Sequence, residues 1–180
     1  VGAVDTTGAF KFTTNAGKAK VDGVELEMNA LLTEGLTLSA GGSYQTAKLS
    51  EDQPAIPNNP NLGHAGDTLP NVPKWQGNAA LSYSAPLTGD LTGTLRGDVV
   101  YRGSTNTQFN KTSPFNVALK SYALINLRAS IENKDWTATL YARNLFDKRA
   151  EIDAISSDQD PLSRITVRPR TLGASITRHF

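Results

Sequence analysis

The sequence predicts an all-β chain that forms part of a transmembrane, antiparallel, up-and-down β-barrel, and three observations predict it. Apolar and polar residues alternate with period two in segment after segment. The connections between these segments are short and long by turns. The face opposite the apolar one carries too much charge to be a dry core.

The alternation gives seven clear strands, with a weaker candidate between Val1 and Asn15 ahead of them. Val24, Leu26, Met28 and Ala30 oppose Glu25, Glu27 and Asn29. Leu36, Leu38, Ala40, Gly42 and Tyr44 oppose Thr37, Ser39, Gly41, Ser43 and Gln45. From Trp75 to Ala85, one face holds Trp75, Gly77, Ala79, Leu81 and Tyr83; the other holds Gln76, Asn78, Ala80, Ser82 and Ser84. Leu91, Leu95, Val99 and Tyr101 oppose Thr92, Thr94, Arg96, Asp98 and Arg102. Ala123, Ile125, Leu127, Ala129 and Ile131 oppose Asn126, Arg128 and Ser130. Trp136, Ala138, Leu140 and Ala142 oppose Thr137, Thr139, Tyr141 and Arg143. The last segment sets Leu172, Ala174, Ile176 and Phe180 against Thr171, Ser175, Thr177 and His179.

Thr33-Glu34-Gly35, Pro86 to Asp90 and Asn133-Lys134-Asp135 have the composition of tight turns. Ala47 to Pro73, Thr105 to Lys120 and Asp147 to Arg164 are long, polar connections, well above hairpin length. A soluble sandwich has no reason to lengthen every second loop. An outer-membrane barrel does, because its periplasmic turns are short and its extracellular loops long. Counted back from a periplasmic C-terminus, the short turns fall on the periplasmic side.

Composition agrees. Hydrophobic residues make up 38% of the 180 and the mean hydropathy is -0.34, low for a packed globular domain. A transmembrane strand needs only about 9–11 residues with every second one apolar, so a barrel wall reads as hydrophilic on average. No apolar run reaches the roughly 20 residues of a membrane helix. A net charge of +1 gives no case for nucleic acid as a partner. The absence of Cys removes disulfides, thiolate metal sites and Cys nucleophiles.

The polar face, with Glu25, Glu27, Arg96, Asp98, Arg128 and Arg143, fits a wet or plugged lumen rather than the interior of a lipocalin-like binder. These six are candidates for contact with substrate or plug, against a plain solvated network that fixes barrel geometry. The apolar face then meets outer-membrane lipid, and Tyr44, Trp75, Tyr83, Tyr101, Trp136 and Phe180 stand near strand ends, where aromatic girdles belong. Asp153, Asp158 and Asp160 do not match a calcium loop. His64 and His179 are the only histidines and are far apart, which argues against a transition-metal site; no resident cofactor is expected. With no G-x-S-x-G, H-E-x-x-H or P-loop, the chain reads as not an enzyme.

Five stretches in order along the chain resemble TonB-dependent outer-membrane receptors. Asn15 to Ala19 followed by Gly23-Val24-Glu25-Leu26-Glu27 is similar to that family's "N-x-G-x-A … G-V-E-L-E" segment, and Leu36 to Tyr44 to the strand after it. Leu69 to Pro73 sits where the family has "L-P-x-x-P". Asn144-Leu145-Phe146-Asp147-Lys148 matches "N-L-F-D-K", and Arg168 to Phe180 resembles the terminal "R-P-R-T-x-G … F". Arg178 departs from this pattern, since it falls on the lipid-facing register of the last strand; near the interface such an Arg costs roughly 0–1 kcal/mol.

The resemblance implies the last seven or eight strands of a barrel of about 22 strands, residues 1–180 being its C-terminal portion. The plug domain that fills the lumen, and through which the TonB complex drives transport, has no counterpart in the sequence. The implied function is energised uptake of a scarce small-molecule nutrient: most often a ferric siderophore, otherwise vitamin B12, haem or carbohydrate. Leu172, Gly173, Ala174, Ile176 and Phe180 resemble the terminal signal read by the outer-membrane assembly machinery. The alternative is a complete eight-stranded outer-membrane barrel acting as an anchor or adhesin.

Overall fold

The computed structural model describes residues 2–4, 11–13, 17–55, 62–155 and 163–180. In chain order the strands are β1 Gly2–Val4, β2 Lys11–Thr13, β3 Ala19–Thr33, β4 Leu36–Leu49, β5 Trp75–Pro86, β6 Thr92–Arg102 and β7 Thr105–Asn106. There follow β8 Ala118–Leu119, β9 Tyr122–Glu132, β10 Trp136–Arg143, β11 Glu151–Ile155, β12 Ser163–Thr166 and β13 Thr171–Arg178. Seven of them form one antiparallel sheet in the order β13-β10-β9-β6-β5-β4-β3. These are the seven strands predicted from alternation, joined as a meander.

Three details differ from expectation. The segment Val1 to Asn15 is not one strand: β1 and β2 pair with each other as a small hairpin outside the main sheet. The ladder of β3 and β4 also runs well past Val24 and Tyr44, pairing Asp22 with Thr46 and Lys20 with Lys48. There the outward register turns polar, with Lys20, Asp22, Thr46 and Lys48, while Val21, Ala47 and Leu49 take the other face, so the apolar pattern switches sides while the backbone continues. Finally, two of the long loops carry hairpins of their own, β7 with β8 and β11 with β12.

Gly35 shows why the short turns need their residues. It has φ of 76°, and a Cβ there would collide with the carbonyl oxygen of Ser84. Only glycine takes that conformation in that space.

Residues paired across an antiparallel ladder share a face. One face has the rows Leu36–Tyr83–Leu95–Ala129–Leu140–Ala174 and Leu38–Leu81–Gly97–Leu127–Ala142–Leu172. The other has Thr37–Ser82–Arg96–Arg128–Tyr141–Gly173 and Ser84–Thr94–Ser130–Thr139–Ser175. The apolar face is outside, not packed away: Leu140 is 64% exposed, Leu172 71% and Ile176 75%. A water-soluble domain does not expose apolar area on this scale. Buried apolar residues such as Leu49, Leu119, Ala150, Ala154 and Val167 lie instead at the long-loop end.

The outward aromatics fall into two bands. Tyr44 and Trp75 are cross-strand partners with ring centroids 4.6 Å apart, and Tyr101 stands one row from them, at the long-loop end. Tyr83, Trp136 and Phe180 lie toward the short turns. From Trp75 to Tyr83 the strand covers roughly 27 Å at ~3.4 Å per residue. At a usual tilt this is about 20 Å of height, close to the ~25 Å apolar band of a membrane barrel.

Among the described residues, β13 pairs only with β10 and β3 only with β4, so the sheet is open at both edges. The eight-stranded alternative requires β13 to close against the N-terminal segment. Among the described residues no such closure is seen, and β2 pairs with β1.

Candidate functional site

The inward face positions the six charged residues predicted from sequence but does not gather them into one cluster. Arg96 on β6 and Arg128 on β9 are direct cross-strand partners. Like charges set opposite each other repel, so the pair presents two positive charges to whatever fills the lumen. Asp98, one pair along on that face, accepts a 2.7 Å hydrogen bond from Asn126 Nδ2. Arg143 lies 5.1 Å from the Tyr141 ring centroid, a cation–π distance. Glu25 and Glu27 stand apart on β3, where they line a shallow concavity of about 300 Å³ with Gln76, Asn78, Arg102 and Tyr122. Among the described residues, none of the six forms an ion pair.

Tyr141 has a structural task on this face. Its partner on β13 is Gly173, and a Cβ at Gly173 would collide with the Tyr141 ring. The ring therefore covers the bare backbone of the neighbouring strand, which pins the register between them.

The Asn144-Leu145-Phe146-Asp147-Lys148 motif builds the knot that joins wall to loops. Asn144 is only 5% exposed and has φ of 50°, the left-handed region that Asn tolerates. Its Nδ2 donates to the carbonyls of Lys148 and Arg168, both at 2.9 Å, and its Oδ1 accepts from the Lys148 N–H at 2.8 Å. Its own N–H donates to Asn126 Oδ1, and the Leu145 N–H to the Ile125 carbonyl. Asp147, also at φ 50°, accepts from the Arg170 N–H at 2.8 Å. One turn thus ties β9 and β10 to the entry of β13. The Arg170 N–H, with Arg149 beside it, holds the Asp147 carboxyl below its ordinary pKa. That contribution is present above the ordinary carboxylate pKa and is lost only as pH falls through the lowered value.

Above this knot lies a crevice of about 640 Å³ between the β7–β8 and β11–β12 hairpins. Lys120, Lys148, Arg149 and Arg164 line it, with Glu151 as the one acid among the described lining residues and Tyr122 at its side. Arg164 is bound to Glu151 and Arg149 to Asp147, while Lys120 and Lys148 have no ion-pair partner among the described residues. Tyr122 borders both this crevice and the concavity of Glu25 and Glu27. Sequence reasoning missed the four cations, because they are spread from position 120 to 164 and only the packing of two hairpins unites them.

The remaining candidates are local. Asp153 Oδ1 accepts from the Ala154 N–H, while Asp158 and Asp160 lie outside the described residues. His64 Nδ1 is 3.7 Å from Asp52, and His179 Nε2 is 3.0 Å from the Thr137 hydroxyl. Among the described residues, no group of three or more His, Cys, Asp or Glu is arranged to hold a metal ion.

Comparison with known proteins gives a consistent result. Residues 1–145 match the sequence model of the family described as TonB dependent receptor-like, beta-barrel. The protein described as probable TonB-dependent siderophore receptor PiuA, from Acinetobacter baumannii, is 30% identical over 147 residues, 79% of this chain and 19% of that protein. The ferric yersiniabactin uptake receptor FyuA from Yersinia pestis superposes with a TM-score of 0.75 at 19% identity, covering 92% of this chain and 24% of that one. The crystal structure of the siderophore receptor PiuA gives 0.69 at 24% identity, over 98% and 24% respectively. The ferric preacinetobactin receptor BauA of Acinetobacter baumannii gives 0.65 at 18% identity, over 99% and 25%. The chain thus spans about a fifth of the curated relative it matches and a quarter of these structures.

Proposed function

We infer the function from one premise: this chain belongs to the TonB-dependent receptor family and forms part of the β-barrel of such a receptor in the outer membrane. The receptor takes up a ferric siderophore, the kind of cargo for which the relatives FyuA, PiuA and BauA are named. The observation that carries this reading to the residues is the crevice of Lys120, Lys148, Arg149 and Arg164 at the long-loop end, a positively charged entry above a polar inward face. Cargo enters there and passes Tyr122 toward Glu25, Glu27 and Arg102. Arg96, Asp98, Arg128 and Arg143 face the lumen and meet a plug domain supplied elsewhere in the receptor, through which TonB delivers energy.

Residues 1–180 serve as the C-terminal portion of the barrel, with short turns and C-terminus in the periplasm. The free edge of β13 supports this reading, as the closing edge against the first barrel strand. Leu172, Gly173, Ala174 and Ile176 on that strand, with Phe180 just beyond it, form the signal read by the assembly machinery. Strand addition at an open edge is its physical basis.

The test is binding and uptake by the full-length receptor. The pair Lys120→Glu and Lys148→Glu is expected to weaken binding of a negatively charged ferric siderophore about tenfold, or ~1.4 kcal/mol, with an effect that shrinks at high salt. Unchanged affinity at low salt, measured by fluorescence titration, counts against the crevice; wild-type uptake that is indifferent to TonB counts against the transport reading.

A further inference from the structure

The lipid-facing side of the short-turn end carries a cation that the barrel pattern does not explain. Arg178 is the direct cross-strand partner of Trp136, so it stands on the outward register. Its guanidinium carbon lies 5.3 Å from the centroid of the Trp136 ring and 5.0 Å from that of Phe180. Rings attract the cation by its face, while its five N–H donors point outward in the plane of the fork. Among the described residues, no carboxylate lies within ion-pair distance of Arg178 and no acceptor takes its side-chain donors. Asp135, in the adjoining turn, uses its backbone carbonyl to accept from the His179 N–H, and its carboxylate does not reach the Arg178 fork. Exposed Lys134 stands next to Asp135 in that turn.

The surroundings say what such a fork can bind. Trp136 and Phe180 are girdle residues, which places the guanidinium at headgroup depth. From there toward the membrane centre, the outward residues of β10 and β13 are Ala138, Leu140 and Ala142 beside Ile176, Ala174 and Leu172. A ligand here therefore meets a phosphate-shaped donor set at one end and a wholly apolar strip above it. We propose that Arg178, held between Trp136 and Phe180, is a binding site for the phosphate of an anionic glycerophospholipid, of the phosphatidylglycerol class, whose acyl chains lie along this strip. Arg pairs bidentately with phosphate oxygens, and a Lys does not reproduce that geometry. The proposal rests on the apolar face being the lipid face and is independent of the cargo.

The experiment uses the full-length receptor in detergent, titrated with phosphatidylglycerol and read by native mass spectrometry for lipids retained. Wild type should retain one more tightly held phosphatidylglycerol than Arg178→Gln, with an apparent affinity about tenfold higher. Arg178→Lys should recover only part of this, and Trp136→Leu, which keeps the charge, should also weaken it. Equal retention by wild type and Arg178→Gln overturns the proposal. So does equal preference for phosphatidylcholine, or full displacement by millimolar inorganic phosphate, which would make the fork an unselective anion contact. If Arg178→Gln binds the lipid normally yet fails to reach the outer membrane, the fork serves assembly instead and the lipid proposal falls.

Discussion

Leu140→Arg is expected to destabilise the receptor by about 2–4 kcal/mol, whereas Thr139→Arg, one residue away on the same strand, costs much less. Leu140 points outward and is 64% exposed, so in water its replacement by a charge would be nearly free. In a bilayer the same exposure is exposure to hydrocarbon. Leu140 lies about 14 Å along the strand from the girdle residue Trp136 at ~3.4 Å per residue, roughly 10 Å in height at the usual tilt and so near the midplane. Thr139 shares the inward face with Ser130 and Ser175, where a guanidinium stays hydrated. Unfolding in lipid vesicles measures both. Equal costs would mean that the faces are assigned wrongly.

The second large effect is expected at Asn144. Asn144→Ala removes one acceptor and two donors from a side chain that satisfies the Lys148 N–H and the Lys148 and Arg168 carbonyls. It also places Ala at φ 50°, where Asn is tolerated and Ala is strained. Stranded buried polar groups cost about 1–3 kcal/mol, so a loss of about 3 kcal/mol is expected, with the β10 to β13 junction fraying first. Leu145→Ala, which keeps the Asn144 amide and its bonds, should cost less. Chemical denaturation of the full receptor in vesicles, together with hydrogen exchange at residues 165–171, separates the two outcomes. An Asn144→Ala receptor as stable as wild type would reduce the motif to an incidental turn.

Legibility in the sequence followed the physics of each region. The seven wall strands were readable because lipid on one side and water on the other force strict alternation, as in Trp136 to Arg143. The signal changes where that contrast stops: Lys20, Asp22, Thr46 and Lys48 take the outward register while Ala47 and Leu49 are buried on the other face, so the alternation switches sides and the upper ladder of β3 and β4 was not legible. The turn motif at Asn144 could be recognised by resemblance, but its clamp on Arg168 and Arg170 involves residues more than twenty positions away. The six charged residues share one face of the sheet, and their separation into the Arg96–Arg128 pair, the Asp98–Asn126 bond and the remote glutamates depends on strand order. The basic crevice depends on how two loop hairpins pack, which no local pattern encodes.

In the proposed topology the long loops face outside the cell and the short turns face the periplasm, and cysteine labelling tests this most directly because the chain has no Cys of its own. Lys111→Cys, in the exposed β7–β8 loop, and Lys134→Cys, in an exposed short turn, are placed singly in a full-length receptor freed of other reactive thiols. A membrane-impermeant maleimide on intact cells should label position 111 at once and position 134 only after the outer membrane is permeabilised. Labelling of position 134 on intact cells, with position 111 protected, would contradict it.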